Sequence, residues 1–223
     1  MGERLLIFDC DGVLVDSERI AIDVFLDNIR AAGGEIDDVD AYAKFLGRSR
    51  AAVYRALRDD FDIEFSETEL ERMQARLFGR LRRDLQPMPG IAEVLPGLSH
   101  RCCVASSSEP DRIHLELEVT GLLDFFEARI YSASMVREGK PSPDLFLHAA
   151  KANGVPPSDC IVIEDSPSGI RAAQAAGMRV LAFTGGSHAA LFDLEKQAAA
   201  LGPDAMFADM RQLPDLLEAF EVR

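Results

Sequence analysis

Leu5-Leu6-Ile7-Phe8-Asp9-Cys10-Asp11-Gly12-Val13-Leu14-Val15-Asp16-Ser17 is the stretch that decides the fold. Four consecutive apolar residues predict a strand buried on both faces. The strand runs straight into Asp9 and Asp11, and residues i and i+2 of a strand share a face. Both carboxylates therefore project to one side, and Cys10 turns away to pack against the sheet. Gly12 lets the chain leave through backbone conformations that other residues avoid. Two acids then stand together at the carboxyl end of a buried strand, where open α/β sheets bind ligands. Carboxylates this close repel, and one tends to keep its proton. A hard divalent cation removes the conflict. Mg²⁺ suits the position, because it takes one or two carboxylates and bridges to phosphate oxygens.

Outward from this strand the pattern changes. Asp16 or Ser17 caps a helix with Ile20, Ile22, Val24, Leu26 and Ile29 on a broad apolar face, stopped by Gly33-Gly34. Asp40 to Asp59 reads as more helix, interrupted at Gly47. Ser66-Glu67-Thr68-Glu69 opens another, with Leu70, Met73, Leu77 and Phe78 inward. From Asp16 to Leu85 there is helix and no convincing strand. Gln86-Pro87-Met88-Pro89-Gly90 then breaks the chain.

Beyond that break, strands and helices alternate. Cys102-Cys103-Val104-Ala105 is a strand running into Ser106-Ser107-Ser108, and Pro110 opens a helix ending near Gly121. Arg129 to Ser132 is a strand, followed by the loop Gly139-Lys140-Pro141-Ser142-Pro143 and a helix to Asn153-Gly154. Cys160-Ile161-Val162-Ile163 is a buried strand ending in Glu164-Asp165. Val180 to Phe183 is another, ending in Thr184-Gly185-Gly186, which reads equally as a pocket rim or a flexible loop. A helix from His188, a short strand near Met206-Phe207 and a closing helix from Pro214 to Phe220 complete the chain. The fold class is α/β, with a Rossmann-like parallel sheet as core and a small all-helical cap inserted after the first strand. The core takes residues 1–15 and 86–223, and the cap residues 16–85, hinged at Val15–Asp16 and Pro87–Gly90.

Composition limits the function. The 223 residues carry a net charge of −14, with Lys+Arg 24 against Asp+Glu 38. Such a chain is a poor ligand for nucleic acid or anionic membrane, and any phosphate site in it must be locally positive. Hydrophobic residues at 48% supply a proper core. Cys10, Cys102, Cys103 and Cys160 form no C-x-x-C pair and sit mostly in apolar runs, which fits a reducing cytoplasm. The N-terminus has no signal-peptide core and no apolar run spans a bilayer, so the expected location is cytoplasmic. The expected assembly is a monomer or weak homodimer. His100, His114, His148 and His188 lie in no motif and read as surface residues.

Four loops follow predicted strands and should converge: Asp9/Asp11, Ser106-Ser107, Lys140 and Glu164-Asp165. Taken singly, each has a plain explanation as a turn, a cap or a solvated lysine. Together at the carboxyl ends of one sheet they make a phosphoryl-transfer site. Asp9 is the candidate nucleophile. Asp11 protonates a leaving oxygen and then activates water. Asp165 brings a further carboxylate to a metal, and Glu164 is either a ligand or a support behind one. Ser106 and the Ser107 N–H hold phosphoryl oxygens at a helix N-terminus. Lys140, presented by a loop that Pro141 keeps out of helical conformation, offsets charge.

With those motifs in hand, the chain resembles the haloacid dehalogenase superfamily of phosphohydrolases. The match lies in the branch with a small helical cap, which includes β-phosphoglucomutase and many sugar-phosphate phosphatases. It is carried by Asp9 to Glu18, Val104 to Ser108, Gly139 to Asp144 and Ile163 to Gly169. The resemblance implies Mg²⁺ held by an Asp9 oxygen, the Asp11 backbone carbonyl and Asp165, and a cis Lys140–Pro141 peptide. It also implies that Gly47, Arg48 and Arg50 line the substrate side of the cap. The implied activity is hydrolysis of a small phosphorylated metabolite, a sugar phosphate above all, through an aspartyl-phosphate. A phosphomutase on the same scaffold is an alternative, but its cap histidine is replaced here by Ala21. A hydrolytic dehalogenase is weak, since resembling dehalogenases lack the second Asp. A phospho-receiver domain uses similar side chains, but places its phosphorylated Asp on a later strand and lacks so large an insert.

Overall fold

A computed structural model describes residues 4–31, 33, 50–61, 63–126 and 129–221. Among these residues six strands form one sheet: β1 Leu5–Phe8, β2 Arg101–Ser106, β3 Ile130–Ser132, β4 Cys160–Glu164, β5 Arg179–Phe183 and β6 Ala205–Phe207. Every neighbouring pair is parallel, in the order β3-β2-β1-β4-β5-β6. The described helices of eight residues or more are α1 Glu18–Ala31, α2 Arg50–Phe61, α3 Glu67–Asp84, α4 Pro110–Val119, α5 Asp144–Asn153, α6 Pro167–Ala175, α7 Leu194–Leu201 and α8 Leu213–Glu221.

Side chains alternate across a strand, so one buried sheet makes two cores. Leu6, Phe8, Val104, Ile163 and Leu181 face Ile113 and Leu117 of α4 and Leu213 and Leu217 of α8. Leu5, Ile7, Cys103, Val162 and Val180 face Phe146 of α5, Ile170 of α6 and Ala198 of α7. Phe8 is fully buried and meets Phe126 edge-on, with centroids 6.0 Å apart. Burying a side chain of that size is worth about 1.5–3 kcal/mol. The predicted strands are all present, and Cys102-Cys103 is strand core as expected, one residue on each face.

The chain builds β1, β2 and β3 outward on one side, then crosses to lay β4, β5 and β6 on the other. Loops leaving β1 and β4 therefore part above their shared carboxyl edge. That parting is the crevice where such sheets take ligands.

The helical insert leaves and returns beside this crevice. Asp16 N–H donates to Gln86 O at 3.1 Å and Met88 N–H to Leu14 O at 2.8 Å. Val15 and Pro87 thus form an antiparallel bridge at the two predicted hinge positions. Inside the insert, Ile22, Phe25, Leu26 and Ile29 of α1 pack with Leu57 of α2 and Met73 of α3. The N-terminus of α3 is fixed by a reciprocal cap: Glu69 N–H donates to Ser66 Oγ at 3.4 Å, and Ser66 N–H to Glu69 Oε2 at 2.8 Å. The other end of α3 is docked, because Leu81 and Leu85 belong to the sheet core.

Two expectations need comment. Part of the helix predicted over Asp40–Asp59 lies outside the described residues, and α2 begins at Arg50. The helix predicted from His188 is instead one 3₁₀ turn, Ala189–Phe192, with α7 starting only at Leu194. Asp193 with φ 49° separates the two, a left-handed backbone that breaks helical continuity. Among the described residues no helix is long and apolar enough to cross a membrane.

Candidate active site

β1 ends at Phe8, one residue before Asp9, and the backbone then winds into a tight turn. Leu14 and Val15 N–H groups both donate to Cys10 O, at 2.9 and 3.1 Å. Asp11 therefore stands on a turn and not on the strand. Its carboxylate shares the crevice with Asp9 but has a different set of partners. Gly12 makes the turn possible. Its φ is +76°, and a Cβ there would lie 2.0 Å from Asp165 Oδ2.

Asp9, Lys140, Glu164 and Asp165 meet at the carboxyl edge of β1 and β4, all buried. Lys140 Nζ lies 2.9 Å from Asp9 Oδ1 and 2.7 Å from Glu164 Oε1. Toward Asp9 this is an ion pair without hydrogen-bond direction, so Asp9 Oδ1 has no hydrogen-bond partner among the described residues. Toward Glu164 it is a hydrogen bond. Glu164 Oε2 accepts from Ser166 N–H at 2.7 Å and Ser166 Oγ at 3.0 Å, so both of its oxygens are engaged. Ser166 also caps α6, accepting from Gly169 N–H at 3.1 Å. The Lys140–Pro141 peptide is cis, as the resemblance implied.

The electrostatics of the pair Asp9 and Asp165 are those of a site short of positive charge. Burial pushes the Asp9 carboxyl well up, Lys140 opposes this, and Glu164, Asp165 and Asp11 add to it. Burial and Glu164 do the same to Asp165. One ligand oxygen from each of Asp9, Glu164 and Asp165 can be chosen so that all lie within 4.8 Å of one another. A buried Asp9 oxygen met only by the Lys140 ammonium, two carboxyls held against their preferred charge and an all-oxygen donor set suit a hard divalent cation. Because Glu164 is saturated by Lys140 and Ser166, Asp9 and Asp165 are the better direct ligands.

Asp11 carries a second network. Ser17 Oγ and Arg112 Nη2 both donate to its Oδ1, and Ser108 Oγ donates to Oδ2 at 2.7 Å. Ser106 Oγ is 3.5 Å from the same Oδ2 and accepts from Ser108 N–H at 3.1 Å. Burial raises the Asp11 carboxyl, but Arg112 and the Ser17 and Ser108 hydroxyls outweigh it and hold the group below its usual value. Arg112 in turn donates through Nε to Glu116 Oε1 at 2.7 Å. Glu116 is fully buried and pushed up to about 8 by burial, against the pull of Arg112. Cys10 Sγ closes the array, 3.6 Å from Glu116 Oε2.

The structure brings together Asp9, Asp11, Ser106, Lys140, Glu164 and Asp165 from the sequence reading. Ser107 follows β2 half-buried beside them. Gly47 and Arg48 lie outside the described residues, as does the side chain of Arg50, whose backbone opens α2. Sequence reasoning missed Ser17, Ser108, Arg112 and Glu116. The i, i+4 spacing of Arg112 and Glu116 in a helix after the serine loop was the available signal. His188 is a correction. It reads as a surface residue in sequence, yet its side chain is fully buried, with Nε2 2.9 Å from Asp165 Oδ2. The tight chain path at Gly186 turns it inward, and nothing in residue type or motif announces that.

Comparison with known proteins agrees with this geometry. A family model described as haloacid dehalogenase-like hydrolase matches residues 3–177. A probable pseudouridine-5'-phosphatase of Drosophila melanogaster is 34% identical over 183 residues, 78% of this chain and 79% of that protein. The 6-phosphogluconate phosphatase of Escherichia coli K12 is 27% identical over 216 residues, 95% of this chain and 93% of that one. A crystal structure of a conserved haloacid dehalogenase-like protein from Agrobacterium tumefaciens superposes with a TM-score of 0.82 at 35% identity, covering 99% of this chain and 100% of that chain.

Proposed function

The chain belongs to the haloacid dehalogenase-like hydrolases, and from that premise we propose that it is a phosphatase hydrolysing a small phosphorylated metabolite, in the sugar-phosphate class, through Asp9. The observation that carries the reading is the meeting of Asp9 with Lys140 and Asp165 at the edge shared by β1 and β4. The phosphatase names of the two relatives support the reaction class.

In this reading an Asp9 oxygen attacks phosphorus and the ester P–O bond breaks. Asp11, held below its usual value in the free site, takes a proton from the incoming phosphate monoester monoanion and passes it to the departing alcohol oxygen. A water then attacks the phospho-aspartate and passes a proton back to Asp11. The P–O bond to Asp9 breaks, and inorganic phosphate and the free Asp9 carboxylate remain. Lys140 offsets the charge gathered on Asp9 and the phosphoryl oxygens. Ser106 and the Ser107 N–H hold those oxygens. Asp9, Asp165 and the Asp11 carbonyl would hold Mg²⁺, which supplies charge neutralisation at the transferring group. Residues 16–85 act as the cap, closing on the Val15/Pro87 hinge to exclude water, with Gly47, Arg48 and Arg50 toward the substrate. Ala21 cannot take the role of a mutase's cap histidine, so the mutase reading has less support.

The test is a panel of phosphorylated metabolites assayed with Mg²⁺ in ¹⁸O-labelled water. Labelled inorganic phosphate from a sugar phosphate is the expected product. Isomerised sugar phosphate with little free phosphate from any substrate contradicts the reading.

A further inference from the structure

His188 is a buried, titratable side chain that the reaction above does not use. Its ring is fully inaccessible to solvent, and Nε2 lies 2.9 Å from Asp165 Oδ2. Nδ1 is also buried and has no hydrogen-bond partner among the described residues. A proton on Nδ1 would be a buried donor without an acceptor, which is costly. The neutral ring with its proton on Nε2 is the form that fits, and it donates to Asp165.

The surroundings hold the ring in place. It sits against Gly12 and Gly186, where an added Cβ would approach His188 Cε1 to 2.9 and 2.5 Å. The loop behind it is pinned twice. Ala189 N–H donates to Gly186 O at 3.0 Å, and Ser187 Oγ donates to Asp16 Oδ1 at 2.8 Å. Ala189 itself is buried against the hydrophobic cluster of the insert. The imidazole thus has one orientation, and Asp165 Oδ2 has a donor fixed upon it.

We propose that His188 is a positioning residue for the cation site: its Nε2–H occupies one oxygen of Asp165 and so presents the other to the metal. A carboxylate with a fixed hydrogen bond on one oxygen loses less freedom when the other binds. Partners of this kind are worth about 10–100-fold in metal affinity. The inference rests on the reading of Asp9 and Asp165 as Mg²⁺ ligands, and the experiment separates the two.

Mg²⁺ affinity is measured by calorimetry on the metal-free wild type and on His188→Gln, His188→Asn, His188→Leu and Asp165→Asn. Glutamine carries an amide N–H where imidazole has Nε2, whereas asparagine reaches only the Nδ1 position and leucine fills the space without a donor. Wild-type binding that Asp165→Asn abolishes establishes the site. The proposal then expects about 10–100-fold weaker binding for His188→Leu and His188→Asn and near wild-type affinity for His188→Gln. Maximal turnover at saturating Mg²⁺ should fall far less than the Mg²⁺ affinity. If leucine prevents folding, as judged by circular dichroism, the contrast between asparagine and glutamine decides. Wild-type affinity in His188→Leu or His188→Asn overturns the role of His188 alone. Equal weakening in glutamine and asparagine also overturns it, since packing and not the donor would then matter. Absence of Mg²⁺ binding in wild type overturns both the metal reading and this inference.

Discussion

Arg112 illustrates what a single residue does in this site. It lies between Asp11 and Glu116 with only 19% of its side chain exposed. Removing one member of a buried ionic array strands the others, which typically costs about 3–5 kcal/mol. Arg112→Met should therefore lower stability by roughly that amount in chemical denaturation, and turnover should fall as Asp11 loses its strongest donor. Asp11 is the carboxyl that Arg112 holds below its usual value, so adding Asp11→Asn removes the stranded charge and the double variant should recover part of the lost stability. A single variant as stable as wild type would show that the array contributes no net stability. Residue by residue, the acids and Lys140 were legible because reaction chemistry restricts their type. Ser17, Ser108 and Arg112 were not, because serine and arginine on a helix or loop are ordinary until a fold supplies their partner.

At the scale of elements, legibility followed periodicity. Leu5–Phe8 and Cys160–Ile163 are unbroken apolar runs with one physical solution, strands covered on both faces. The capping box at Ser66 names its helix start directly. Where one extra residue decides the outcome, sequence fell short. Asp9 and Asp11 suggest one strand face, yet β1 ends before Asp9, and Gly12 folds Asp11 onto a turn with a separate set of partners. That difference matters chemically. It gives the two carboxyls opposite environments, Asp9 raised by burial and Asp11 held down by Arg112 and hydroxyls. Likewise, the segment after β5 has helical composition, but the left-handed Asp193 splits it and leaves His188 facing inward. The buried His188 ring lies against Gly12, a contact between elements far apart in sequence.

The whole molecule should carry the signature of its buried acids in its pH dependence. Asp9 and Asp165 are raised well above ordinary carboxyls, and Glu116 to about 8. Between their unfolded and folded values the native state binds more protons than the unfolded chain, so stability falls as pH rises. His188, lowered by burial, works in the opposite direction only below about 6.5. Metal-free protein should therefore lose melting temperature from about pH 6.5 to 8.5. Mg²⁺ should restore it, increasingly toward high pH, because cation binding favours the ionised carboxyls. A melting temperature that rises over that window without metal would contradict the account of the acid cluster.

The central claim is that phosphoryl transfer passes through Asp9, and covalent trapping tests it most directly. Wild-type enzyme, Mg²⁺ and a substrate from the panel are mixed, quenched in acid within milliseconds, reduced with borohydride, and digested for mass spectrometry. Reduction of a phospho-aspartate converts that residue to homoserine. The account predicts homoserine at position 9, formed only with substrate and absent from Asp9→Asn, whose phosphate release should fall by several orders of magnitude. Homoserine at another aspartate, or phosphate released by Asp9→Asn at the wild-type rate, would contradict it.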